Sequence, residues 1–370
     1  MSVPGLLVSA WLLAVTAAAR EPAETVIPLA SFDSFQDALG AFLPDAINND
    51  RRLSRQIAPS VRWTLVDHAD AIGRLPEDRQ RRSIGDVAAF IVDARRKHAA
   101  TVVIGPGRPI TALLDPDQGL DPKQITALAA AYRTKADVLK RHGDQTLADV
   151  SEAFLGAIAA RAAAEEPATV VVVGHGLPKE IQSYAIPVDR VASALVDGGI
   201  RRGKAGKSEG GASVDLSHLV LLFDDCFSAD FCLNLARGIR SDAERRGASL
   251  RSLPVLVAGA NRDRYGLVNI GEKFVTHYWE SVIELYFVRK PRPAAVTLGD
   301  FQGHVDNFMY GYGRAPVFEG TRIVSHRLVD PDLVQDPVCF LPLTTDEVER
   351  LRSILGLAEQ DDLLPLVDAG

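Results

Sequence analysis

Thr169-Val170-Val171-Val172-Val173-Gly174-His175-Gly176 and Leu219-Val220-Leu221-Leu222-Phe223-Asp224-Asp225-Cys226-Phe227-Ser228 decide how this chain is read. Each begins as a nearly unbroken apolar run of strand length, the pattern of a strand buried on both faces in a parallel sheet. Each then runs directly into a reactive side chain. In an open parallel sheet, ligands and catalytic groups gather just beyond the carboxyl ends of the strands. Two such exits predict an imidazole and a thiol sharing one crevice.

Upstream, Thr101-Val102-Val103-Ile104 followed by Gly105-Pro106-Gly107 reads as a buried strand with an abrupt stop, and the α/β region is expected to start there. Asp121-Pro122-Lys123-Gln124 reads as a helix start, with Asp as cap and Pro at the first position, for a helix running to about Arg133. A short strand is expected over Ala136 to Arg141. Thr146-Leu147-Ala148-Asp149 then caps a second helix with Leu147, Val150, Phe154 and Ile158 on one face.

Downstream, a helix is expected from Val188 to Asp197, ended by Gly198-Gly199. The helix after Cys226 is expected to be capped by Ser228, with Asp230 in its first turn and Phe231, Leu235 and Ile239 inward. Pro254 to Asn261 reads as another buried strand with a polar exit, and Phe274 to Arg289 as an aromatic amphipathic helix. The alternation of strand and helix predicts an α/β fold with a mostly parallel central sheet covered on both faces. Residues 20–99 read as a helical N-terminal region with amphipathic stretches over Phe32–Ile47 and Ile84–Lys97. Residues 291–370 read as an irregular extension with one short helix over Asp346 to Leu357.

With 370 residues and 47% hydrophobic content, the chain can bury a large core. A net charge of −7 offers no basic field for nucleic acid, and the arginine clusters at 51–55 and 79–82 are too short to make one. Val3 to Ala19 is an apolar run ending in Ala17-Ala18-Ala19 before Arg20. It resembles a secretory signal over residues 1–19 and predicts an exported, periplasmic or secreted protein. Because no Lys or Arg precedes the run, an uncleaved anchor and a misplaced start stand as alternatives. No later segment has the length and apolarity of a membrane span.

Three cysteines, Cys226, Cys232 and Cys339, make no disulfide framework and leave at least one free thiol. Cys232, among Phe231, Leu233 and Leu235, and Cys339 read as core packing. The stretch Arg201 to Gly211 is glycine-rich, cationic and exposed. Its Gly206-Lys207-Ser208 invites a phosphate-loop reading, but Arg201 occupies the place of the first glycine and no strand leads in, so nucleotide binding is rejected. His304 and His326 lack metal-ligand spacing, and neither metal nor cofactor is implied.

The thiol's surroundings pull in opposite directions. Backbone N–H groups at the start of the following helix favour a thiolate and can hold a developing oxyanion, whereas Asp224 and Asp225 raise the local negative potential. His175 is the candidate base or ion-pair partner.

These residues resemble the caspase-like cysteine peptidases, the group of caspases, legumains, metacaspases, gingipains and clostripains. The shared pattern is a hydrophobic strand ending in His-Gly, then a second ending in an acidic or polar residue, any residue, and Cys. Here these are His175-Gly176 and Asp224-Asp225-Cys226, with the histidine 51 positions before the cysteine, close to the roughly 50 expected for caspases. Asp-Asp-Cys-Phe-Ser is similar to the Asp-Ser-Cys-Tyr-Ser of metacaspase-like proteins, and Ala260-Asn261 and Tyr265 look like the legumain arrangement.

The resemblance covers roughly residues 100–290 and implies a three-layer αβα sandwich. By position it implies Cys226 as nucleophile, His175 as proton donor to the leaving amine, and the N–H groups of Gly176 and Cys226 as oxyanion hole. Asp224 matches an acidic residue of the specificity pocket, implying cleavage after Arg or Lys in a protein or peptide substrate, with Asn261 and Asp263 as further pocket candidates. Asp224 reads equally as a cap on the following turn. A basic preference would make the Arg201–Lys207 loop a self-cleavage candidate. The competing readings are a non-catalytic interaction protein on the same fold, and a transpeptidase using the same acyl-enzyme.

Overall fold

The computed structural model describes residues 102–118, 122–201, 211–260, 262, 294–297, 314–319, 321–328, 338–359, 363 and 366–368, with scattered residues between 64 and 97. In order these form β1 (Val102–Ile104), β2 (Ile110–Leu114), α1 (Pro122–Ala131), β3 (Ala136–Leu139), α2 (Leu147–Ala164), β4 (Ala168–Val173), β5 (Glu180–Ile181), β6 (Ile186–Pro187) and α3 (Val188–Gly199). There follow β7 (Ile200–Arg201), β8 (Ser213–Asp215), β9 (Leu219–Asp224), α4 (Ser228–Arg245), β10 (Ser249–Ser252), β11 (Val255–Ala258) and β12 (Val296–Thr297). The last elements are β13 (Arg314–Glu319), β14 (Arg322–Leu328), β15 (Val338–Pro342), α5 (Thr345–Leu355) and β16 (Leu366–Asp368).

The central sheet has seven strands in the order β16-β15-β11-β9-β4-β2-β3. Its five strands from β11 to β3 run parallel, and β15 and β16 add antiparallel at one edge. The fold is thus α/β with a mostly parallel central sheet. β4 and β9, buried along their whole lengths, sit at its centre, as their unbroken apolar runs require.

Register separates the two faces. Val170, Val172, Leu221 and Phe223 pack with α2, α3 and α4 in one apolar cluster, and Phe223 and Phe231 stack with ring centroids 4.8 Å apart. α1 instead packs on β2 and β3 through Ile125, Leu128 and Ala129, which lie outside that cluster. The cause is topological. From β2 the chain steps outward to β3, then returns past β2 to β4 and proceeds through β9 to β11. With right-handed crossovers, that reversal sends the connecting helices to opposite faces. The switch point lies between β2 and β4, where crevices form in such sheets.

Several local expectations hold. Thr146 and Asp149 form a reciprocal capping box at the start of α2, and Val150, Phe154 and Ile158 are buried. Val188, Val191, Ala192, Leu195 and Val196 face inward along α3. Among residues 86–97, Val87, Phe90, Ile91 and Ala94 are buried at helical spacing. That helical stretch meets α5 through Arg350, which pairs with Asp93 at 3.2 Å and lies over the Phe90 ring.

Other expectations are corrected. β1 pairs with β12 outside the central sheet, and the strand that enters the sheet is β2. Leu147 is exposed, because it stands in the first turn of α2, beyond the edge of the core. Gly198 and Gly199 are the last two residues of α3, which ends there as expected. A Cβ at Gly198 would lie 2.1 Å from the Ala159 carbonyl oxygen, so glycine is there to let α2 and α3 approach closely. Ser228 is the first residue of α4 rather than its cap. That place falls to Phe227, held left-handed at φ 54°, while the Ser228 hydroxyl is drawn to Ala260.

The described residues after 290 hold more regular structure than the one short helix expected. They include the β13–β14 hairpin, and β15 and β16 extend the sheet beyond the expected boundary because long-range pairing, β15 with β11 and β16 with β15, overrides weak local signals. Residues 1–19, Phe32–Ile47, Asp121, Asn261, Asp263 and Phe274–Arg289 lie outside the described residues.

Candidate active site

β4 and β9 are parallel neighbours in register from Ala168 opposite Leu219 to Val173 opposite Asp224. Beyond that last pair the Gly174 N–H donates to the Asp224 carbonyl at 3.3 Å. His175-Gly176 and Asp225-Cys226 therefore leave the same end of adjacent strands. His175 is exposed, Gly176 buried and Cys226 half-buried. Contact between the two exits is direct, since a Cβ on Gly176 would stand 2.4 Å from Asp225 Cγ and 2.8 Å from the Cys226 carbonyl oxygen. Glycine is the one residue that fits there. Among the described residues, the Gly176 N–H donates to none.

Cys226 stands two residues before an 18-residue helix, in a turn closed by the left-handed Phe227. The helix start is pinned to the end of β11. Ser228 Oγ accepts from the Ala260 N–H at 2.9 Å, and the Ala229 N–H donates to the Ala260 carbonyl at 3.0 Å. Cys226 thus sits near the positive end of a long helix. Arg262 pairs with Asp230 at 2.6 Å in the first turn of that helix. Cys232 and Cys339 are buried, as their apolar neighbours imply. Burial foremost, with the charge of Asp225 next, pushes the Cys232 thiol up and keeps it inert.

The two aspartates differ. Asp224, paired with Val173, belongs by register to the face of the sheet away from α2–α4. Asp225 is only 2% exposed, and neither of its carboxyl oxygens has a hydrogen-bond partner among the described residues. Burial, and secondarily the neighbouring Asp224 charge, push its pKa well above the ordinary carboxylate range. Its side chain is wedged between the histidine loop and the cysteine turn.

Two residues at the site escaped the sequence reading. Asp115 follows β2 at the switch point, and Ser183 lies in the short hairpin connection after His175. Ser183 Oγ accepts from the His175 N–H at 2.7 Å and donates to Asp115 Oδ2 at 2.5 Å. The apolar run Ile110 to Leu114 ending in Asp115 was the available signal, of the same form as the other two strand exits. Next to Ser183, the Tyr184 hydroxyl donates to the Leu114 carbonyl, and burial with the Asp115 charge pushes its pKa up to about 12.

Arg201, at the base of the cationic loop, is anchored to Glu165 at 2.5 Å and to the Gly198 and Ala162 carbonyls. The loop's other basic residues, Arg202, Lys204 and Lys207, lie outside the described residues, as do the pocket candidates Asn261 and Asp263. No helix among the described residues is long and apolar enough to cross a membrane. No family model matches the chain, and no curated protein matches it. The reading of the site rests on its own residues.

Proposed function

We propose that this chain is an exported cysteine endopeptidase of the caspase-like class, acting through His175 and Cys226. The observation that carries this reading is the common exit of His175-Gly176 and Asp225-Cys226 from adjacent parallel strands, with Gly176 in contact with the Cys226 carbonyl. The Cys226 sulfur attacks the peptide carbonyl carbon, and the N–H groups of Gly176 and Cys226 receive the developing oxyanion. As the C–N bond breaks, His175 gives its proton to the leaving amine. Water then adds to the thioester carbonyl and gives a proton to His175 as the C–S bond breaks and releases Cys226 as thiolate, the pair formed at the outset by transfer of the thiol proton to His175.

An undonated Gly176 N–H beside the nucleophile supports the oxyanion role. Asp224 is the residue proposed to favour Arg or Lys before the scissile bond, with Asn261 and Asp263 as secondary pocket residues. The substrate is a protein or peptide. The anchored side chain of Arg201 disfavours cleavage after it and directs any self-processing to Arg202, Lys204 or Lys207.

The test is labelling of the full chain by electrophilic peptide probes carrying Arg, Lys, Asn or Asp next to the reactive group, beside Cys226→Ala and His175→Ala. Labelling of the native chain, strongest after Arg or Lys and abolished in Cys226→Ala, is expected. No labelling by any probe, or labelling that survives Cys226→Ala, overturns the reading in favour of a non-catalytic interaction module.

A further inference from the structure

His175 is exposed, so packing alone does not set the direction of its imidazole. Its backbone, by contrast, is gripped on both sides by one residue. The His175 N–H donates to Ser183 Oγ at 2.7 Å, and the Ser183 N–H donates to the His175 carbonyl at 3.1 Å. The serine hydroxyl has a single proton, and the Asp115 carboxylate takes it at 2.5 Å. That leaves an oxygen lone pair, made more basic by the charge behind it, for the histidine amide.

Asp115 is itself fixed. Its N–H donates to the Val173 carbonyl at 2.9 Å, and its second carboxylate oxygen accepts from the Asp117 N–H at 3.0 Å. Space is left for this arrangement by Gly174, where a Cβ would lie 2.6 Å from Ser183 Oγ and 3.3 Å from Asp115 Cβ. Three segments, the ends of β2 and β4 and the hairpin connection between β5 and β6, thus converge at the switch point on one dipeptide plane.

We propose that Ser183 and Asp115 are positioning residues for His175, a hydroxyl and carboxylate clamp that aims the imidazole at the Cys226 thiol. This rests on the peptidase reading. A clamp of this kind holds a reacting group in its productive geometry from outside the reacting atoms, and an error of about 1 Å there costs roughly 100-fold in rate.

The experiment measures the rate of Cys226 alkylation by iodoacetamide against pH in the full chain, read by mass spectrometry on the Cys226 peptide, for the native protein, His175→Ala, Ser183→Ala, Ser183→Thr and Asp115→Asn. In the native protein His175 extends thiolate reactivity to lower pH, and His175→Ala moves the profile upward. Ser183→Ala is expected to move it the same way while thermal melting stays cooperative, Ser183→Thr to restore it, and Asp115→Asn to shift it part of the way. With a cleavable peptide, Ser183→Ala is expected to lower kcat by roughly 10- to 100-fold with little change in KM.

Should Ser183→Ala fail to fold, Asp115→Asn carries the test, since it keeps the hydroxyl and weakens only its orientation. If His175→Ala shifts the profile and the folded clamp variants do not, the clamp is refuted and the dyad stands. If His175→Ala itself leaves the profile unmoved, no dyad exists, and both the clamp and the peptidase reading fall.

Discussion

Asp225→Asn is the perturbation that most directly questions the physics of the site. The carboxyl is buried beside Asp224 with no hydrogen-bond partner among the described residues, so its charged form is disfavoured by desolvation first and by like charge second. In the unfolded chain an aspartate titrates near about 3.9, whereas in the fold it holds its proton well above that. Below the unfolded value both states are protonated and the burial has no pH-dependent cost. Above it the unfolded state releases a proton that the folded state retains, so stability falls as pH rises, by about 1.4 kcal/mol per unit. The fall ends where the folded carboxyl finally ionises.

Asparagine keeps the shape and has no proton to lose. Its own unpaired amide adds an offset that does not change with pH. The expected result is therefore a slope. The unfolding free energy of Asp225→Asn relative to the native chain rises by about 1.4 kcal/mol per unit above about pH 4. Urea unfolding followed by circular dichroism in a series of buffers stepped upward from about pH 4 measures it. Parallel curves, with a difference that does not depend on pH, would refute the burial argument.

Gly176→Ala drives a methyl group to 2.4 Å from Asp225 Cγ, so it should cost about 1–3 kcal/mol and abolish Cys226 labelling. Gly211→Ala, where a Cβ meets nothing within 4 Å, should be silent in the same two assays. Ser228→Ala removes the hydroxyl that serves Ala260 N–H at 2.9 Å and its carbonyl at 3.2 Å in a fully buried position. A loss of about 1–3 kcal/mol by denaturant titration is expected, and no change would show that the turn is not held there. Gly198→Ala forces the helices α2 and α3 apart at a contact of 2.1 Å, and a melting temperature equal to the native one would contradict the close packing inferred from it.

Much of the architecture could be read from neighbouring residues. The strands β4, β9 and β11 announce themselves by unbroken valine, leucine and phenylalanine runs, the start of α2 by Thr146 and Asp149, and the inner face of α3 by apolar spacing. The exits at His175 and Cys226 were legible for the same reason, because a strand's end and the residue beyond it are local facts. Where local cues misled, a distant partner had taken over. Ser228 looks like a cap until Ala260 claims its hydroxyl. β15 and β16 have modest strand signals; β11 recruits β15, and β15 in turn recruits β16.

The sequence by itself determined the unbroken apolar runs of the strands, the helical spacing, the start of α2, and the two reactive residues at strand ends, all of which depend on side chains within a few positions. Only the tertiary structure decided that β2 is the strand beside β4, that Asp115 and Ser183, 68 positions apart, meet behind the histidine, and that Asp225 is sealed between two loops. Those outcomes depend on strand order and on the reversal at the switch point. Chain entropy and core packing settle them over the whole domain, and no short window of sequence contains them.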